Sequence, residues 1–250
     1  MITGRRLLNR AVHRVHRFVE WYGATAPGTD LGDEFGSLGL GSCVAFPHAS
    51  LMGTRSIHLG AGTLVGRGCT LSVGYSPEDA NLPERGLVIG DRCVVGARST
   101  ITAHESIELG DDVWLGQDVF ISDASHGYQD PETPIGMQLG EHQPVSVGSG
   151  TWIGHGAIIL PGAQVGRNVV VGAGSVVRGA VPDHSVVVGV PGRVVRRLDP
   201  GVGWVSTTGS RDVRPAMDAR EVARVLDTLP EAHPARRQLA DRVRLRPVGS

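Results

Sequence analysis

From Ile89 the chain reads IGDRCV VGARST ITAHES, from Leu109 LGDDVW LGQDVF ISDASH, and from Ile153 IGHGAI ILPGAQ VGRNVV VGAGSV VRGAVP. Each block of six opens on an aliphatic residue, usually followed by glycine: Ile89, Val95, Ile101; Leu109, Leu115, Ile121; Ile153, Ile159, Val165, Val171, Val177. Leu59-Gly60, Val65-Gly66 and Leu71 extend the series upstream, and Leu40, Phe46 and Met52 are read as its start. A period of six matches neither the ~3.6 of a helix nor simple alternation, so a turn must recur once per block. Short strands separated by glycine-assisted bends wind into a triangular parallel β-helix, three blocks to a coil, with the aliphatic side chains inward. Successive coils then stack at ~4.8 Å. A glycine-rich antiparallel sandwich, the alternative, needs hairpin turns every ~8 to 12 residues. It also needs rings for its core, and aromatics are only 4% of this chain against 36 glycines.

The period breaks twice, at 72–86 (SVGYSPEDANLPERG) and at 127–144 (GYQDPETPIGMQLGEHQP). Loops of that length in a compact fold are functional or disordered. Before the repeats, Leu8, Val12, Val15, Val19 and Tyr22 form a helical stripe with Arg6, Arg10, Arg14 and Arg17 opposite. Such a helix covers the end of the coil or packs at a subunit interface; the other reading is membrane contact through the N-terminal helix. After the repeats, Asp218 and Glu221 frame a capping box for a short helix bearing Val222, Val225, Leu226 and Leu229. The stretch from Pro230 to Ser250 reads as poorly ordered. The chain thus divides into an N-terminal amphipathic helix and linker (1–28), an all-β β-helix domain (29–198), and a C-terminal helical extension and tail (199–250).

Charge and composition remove several classes of function. With 24 basic and 25 acidic side chains the chain is no general nucleic-acid binder. All 24 basic residues are arginine, which excludes Schiff-base chemistry and a P-loop lysine. Cys43, Cys69 and Cys93 have no metal or disulfide spacing. No apolar run approaches a membrane span and no signal core is visible, so a cytoplasmic protein is expected.

The segment from Val145 to Leu198, with WIGHGAIILPG, VGAGSVV and GVPGRVVRR, together with FISDASHGYQDPETPI upstream, resembles the hexapeptide-repeat acyltransferases. The nearest members in kind are sugar O-acetyltransferases of the maltose, galactoside and colanic-acid type, and the resemblance spans about residues 87 to 198. It implies a left-handed β-helix, a homotrimer, acetyl-CoA or another acyl-CoA as donor with no metal, and a histidine base at the subunit interface acting on a sugar or polysaccharide hydroxyl. The base falls on His126. A histidine near pKa ~6.5, where a regular coil gives way to a loop, can take a hydroxyl proton as the thioester is attacked. Its second ring nitrogen needs a carboxylate or a backbone carbonyl, and Asp123 is the candidate carboxylate.

For the donor, the resemblance points to His155, Ala173 and Gly174 against pantetheine, Arg178 and Arg196 on phosphate, and Trp152 as an apolar wall. This chain has Arg178-Gly179 where relatives often have Thr-Lys. Backbone N–H groups near Gly148 to Gly154 are candidates for the oxyanion. Tyr128, Asp130, Glu132, Glu141 and His142 could serve the acceptor. Four other readings stand beside this one: N-acyl transfer to an amino sugar, serine or xenobiotic acetyl transfer, a non-catalytic β-helix scaffold, and a γ-class carbonic anhydrase. For the last, Gly154-His155-Gly156-Ala157 matches part of the zinc motif, but the place of its second histidine holds Leu160.

Overall fold

The computed structural model describes residues 2–209 and 212–230; the expectation for the tail concerns residues that, from 231 on, lie outside these. Two compact units are present, Met1–Arg196 and Arg197–Ser250. The first is a left-handed parallel β-helix of seven coils with three faces. The first face stacks Ser37–Leu38, Ile57–Leu59, Leu87–Ile89, Ile107–Leu109, Val145–Val147, Gln164–Val165 and Ala180–Val181. The second stacks Cys43–Val44, Leu64–Val65, Val94–Val95, Trp114–Leu115, Trp152–Ile153, Val170–Val171 and Ser185–Val188. The third runs through Ser50–Met52, Thr70–Val73, Thr100–Ala103, Phe120–Ser122, Ile158–Ile159 and Val176–Val177.

Three columns of inward aliphatics fill the prism, for example Val65, Val95, Leu115, Ile153 and Val171 down the second face, all nearly fully buried. Parallel stacking in this register superimposes like on like, so each column is continuous. Ile153 is fully buried between Leu115 and Val171. Ile153→Ala therefore removes about 3 kcal/mol of stability, to be read as a lowered urea midpoint with an unchanged slope.

The first coil corrects the sequence reading. Its inward residues are Leu38, Val44 and Leu51, paired with Leu59, Val65 and Leu71. Leu40, expected inside, is 83% exposed. The spacing there is six and then seven, because the corner between Val44 and Ser50 carries one residue more than the regular repeat.

The recurring glycine also works differently from the bend expected of it. A Cβ on Gly96 would lie 2.2 Å from the carbonyl oxygen of Gly116 on the next coil, so this place is glycine for close approach between coils. The left-handed backbone falls two residues later. That position is taken by Gly150 or Gly156 in some coils and by Arg92, Arg98, Asp112 or Asp118 in others. The side chains so placed pair between coils: Arg92 with Asp112 (Nε–Oδ1 3.0 Å) and Arg98 with Asp118 (Nε–Oδ1 2.8 Å).

Helix α1 (Ile2–Gly23) precedes the coil, and its residues 4–19 are exposed, the Leu8–Val12–Val15–Val19 stripe included. No helix among the described residues is long and apolar enough to cross a membrane. In the second unit Gly203–Ser206 pairs antiparallel with Val213–Arg214, and α2 (Ala219–Thr228) begins in the expected capping box: Asp218 accepts from the Glu221 N–H, and Glu221 Oε2 accepts from the Asp218 N–H.

Candidate active site

Both loops leave the prism at one corner, between the third and first faces. The strand Thr70–Val73 takes up the first two residues of the expected break, so the first loop spans 74–86, and the second fills 123–144 between Phe120–Ser122 and Val145–Val147. Between them in the stack lies the short corner His104–Ser106. These three turns enclose a cavity of about 390 Å³ whose polar lining includes Tyr75, His104, Ser125, His126, Gln138 and His142.

His126 sits exposed at the loop's entry and bridges antiparallel to Leu139, which ties the two ends of the loop together. The bridge needs Gly140, where a Cβ would lie 1.7 Å from the Ser125 carbonyl oxygen. Asp123 is elsewhere engaged. Fully buried, it accepts the backbone N–H of His104 (2.8 and 3.1 Å), Glu105 (2.8 Å) and Ser106 (2.8 Å), and its Oδ1 lies 3.7 Å from Nδ1 of His104. The carboxylate thus pins one corner to the next and faces His104, not His126.

Of the acceptor candidates, His142 lines the cavity and its Nε2 is hydrogen-bonded to the Tyr75 hydroxyl. Tyr128 is 76% exposed and, like Glu132, stands outside the cavity lining. Asp130 stabilises its own loop, accepting from Thr133 Oγ1 (2.6 Å) and the Glu132 N–H (2.9 Å), and these bonds hold its carboxyl below the usual range. The donor candidates occupy two corners. His155, Ala173 and Gly174 stack between the second and third faces, with exposed Trp152 beside them and His155 Nδ1 3.5 Å from Asp118 Oδ2. Arg178 lies on the loop corner two coils above the cavity, and Arg196 is half-buried at the end of the first unit.

Sequence reasoning passed over His104 and Tyr75. His104 directly follows the third-face strand Thr100–Ala103 and Tyr75 stands one residue beyond Thr70–Val73, at the two successive corners before the one that carries Asp123, and that position was the available signal. Burial pulls the His104 pKa below the ordinary histidine value, with the Asp123 carboxylate opposing. An unfolded histidine titrates near ~6.5, so below that pH the unfolded chain takes the proton more readily than the folded one. The stability conferred by the neutral ring is complete above this value and is lost as pH falls through the folded pKa. Urea unfolding at a series of pH values should show this decline in wild type and a shallower one in His104→Gln.

The thiols do not offer a competing nucleophile. Burial raises all three, Cys93 to about 11, which leaves little thiolate near neutrality. Among the described residues no group of three His, Cys, Asp or Glu side chains could hold a metal ion.

Two family descriptions match the coils on either side of the long loop: "Hexapeptide repeat of succinyl-transferase" over residues 86–122 and "Bacterial transferase hexapeptide (six repeats)" over residues 144–179. Over these segments the chain is similar to the hexapeptide-repeat acyltransferases. By sequence the chain is also similar to the putative lipopolysaccharide biosynthesis O-acetyl transferase WbbJ of Escherichia coli K12, 37% identical over 87 residues, which are 32% of this chain and 44% of that one. Another such relative is the probable acetyltransferase Rv3034c of Mycobacterium tuberculosis, 38% identical over 92 residues, 37% of this chain and 30% of that one. The chain thus spans less than half the length of these relatives. The structure of AntD, an N-acyltransferase from Bacillus cereus in complex with dTDP and 3-hydroxybutyryl-CoA, shares the fold with a TM-score of 0.55 at 22% identity, over 66% of this chain and 84% of that one.

Proposed function

We propose that the protein is an acyl-CoA-dependent O-acyltransferase, most simply an O-acetyltransferase, that modifies a hydroxyl of a sugar or polysaccharide in the cytoplasm. The observation that carries this reading is His126, an accessible imidazole lining a corner cavity where both long loops converge. In the mechanism, His126 removes the acceptor hydroxyl proton as the oxygen attacks the thioester carbonyl. Backbone N–H groups stabilise the oxyanion, and the imidazolium returns the proton to the departing CoA thiolate. With Asp123 committed to the neighbouring corner, the tautomer of His126 is left to a backbone carbonyl or to the bound state.

A homotrimer completes the site. Leu64, Val94, Trp114, Trp152 and Val170 stand in register on the outer side of the second face, and Leu64, Trp114 and Trp152 are about half exposed. Such an apolar ladder suits burial against a second copy. The donor candidates, divided between two corners of one prism, would share a groove only where a corner of one protomer meets another corner of its neighbour.

The nucleophile decides between O- and N-transfer, since WbbJ is described as an O-acetyl transferase and AntD as an N-acyltransferase. A screen of acyl-CoA donors against mono- and oligosaccharides and amino sugars, read by mass, tests the reading. Transfer to a hydroxyl supports it; transfer only to amines corrects it, and no transfer with intact CoA overturns it.

A further inference from the structure

Of the three imidazoles that line the cavity, His104 is one that no motif marks. The ring of His104 is largely buried, and its Nδ1 is enclosed without a hydrogen-bond partner, 3.7 Å from Asp123 Oδ1. Three backbone N–H groups clamp that carboxylate, so it presents a fixed negative charge to this ring. An N–H dipole directed at an anion is stabilised and a lone pair is repelled, which puts the proton on Nδ1 and the lone pair on Nε2. With Nδ1 enclosed, Nε2 is the nitrogen a ligand in the cavity can reach.

The neighbouring rings hold this orientation. Tyr75 meets His104 edge-on, with centroids 4.6 Å apart and planes at 65°, and His142 stacks on it at 5.1 Å and 13°. The Tyr75 hydroxyl and His142 Nε2 are hydrogen-bonded, closing the group of three. Tyr75 itself remains 65% exposed.

We propose that His104 is the acceptor-binding residue of this cavity: its Nε2 accepts a hydrogen bond from a hydroxyl of a pyranose, whose C–H face rests on the Tyr75 ring. The term acceptor rests on the acyltransferase reading; the sugar site does not. His104 and His126 then divide the work, one holding a hydroxyl beside the reacting one and the other removing the proton. The groups facing His104 are Asp123, Asp79, His142 and Tyr75, and burial keeps the ring neutral near pH 7, as a hydrogen-bond acceptor must be.

The test uses the full chain and the variants His104→Asn and His104→Gln, the second of which carries its amide to the place of Nε2. Long-range proton–nitrogen NMR should show His104 as the Nδ1–H tautomer. Methyl β-D-glucopyranoside or methyl β-D-galactopyranoside should move its ring signals and leave those of His48, on the first coil, in place. In acyl transfer, His104→Asn should raise the acceptor KM about tenfold, the loss of one good hydrogen bond, with the acyl-CoA KM unchanged and recovery in His104→Gln. The proposal is overturned by an Nε2–H tautomer, by ring signals indifferent to both glycosides, or by variants that weaken donor and acceptor alike. Ring signals that respond to glycoside in a protein that transfers no acyl group would leave the sugar site standing and remove the acyltransferase reading.

Discussion

His126→Asn should lower kcat for acyl transfer about a thousandfold, which is about 4 kcal/mol of transition-state stabilisation. The side chain is exposed and lies outside the core, so the variant should unfold at the same urea concentration as wild type and retain its acyl-CoA affinity. The pH profile separates this effect from mere displacement of the loop. The acidic limb that a histidine base gives the pH profile should be present in wild type and lost in the variant. A residual rate within tenfold of wild type, with the limb intact, would assign the base to another group.

The second large effect belongs to Asp123. Replacing it by alanine strips the acceptor from the N–H groups of His104, Glu105 and Ser106 at once. Each donor left unsatisfied costs about 1–3 kcal/mol, reduced where water reaches the turn, so a loss of about 3 kcal/mol is expected for Asp123→Ala. Asp123→Asn keeps one acceptor oxygen and should lose about half as much. Chemical unfolding measures both, and a change under about 1 kcal/mol in Asp123→Ala would mean that the corner rearranges without it. The same variant frees the His104 ring, so the glycoside response described above should weaken with it.

Most of the fold was legible because its determinant is local. An aliphatic residue every six positions names its own column, and all eleven residues of the regular blocks, from Ile89 to Val177, point inward as expected. The reading failed where the count slipped: the corners at 45–50 and 53–56 are both longer than the repeat, so the first coil turns in Leu38, Val44 and Leu51 and not Leu40, Phe46 and Met52. The role of glycine was half legible. Its recurrence is plain in the sequence, but close approach between coils and left-handed backbone belong to two different positions, and a one-dimensional pattern does not separate them. The outward apolar ladder was legible too, since each member directly precedes an inward aliphatic.

The site was less accessible to such reasoning, for a physical reason. His126 stands beside a break in the period, but Tyr75 and His104, which share its cavity, come from turns about 50 and 20 residues away, brought together only by stacking. Asp123 illustrates the difficulty: three residues from His126 in sequence, it serves a turn almost twenty residues earlier. Adjacency along the chain is a poor guide where the chain returns to the same corner once per coil.

Confining every long excursion to a single edge of the prism separates two demands that most enzymes must satisfy together. The repeats carry the stability, and with Asp123 and His126 kept, residues 74–86 and 128–142 can be exchanged, lengthened or recombined without disturbing the columns beneath them. Descendants of such a scaffold can change what they modify by editing two short stretches of gene, while the machinery that handles the activated carboxyl group is inherited intact.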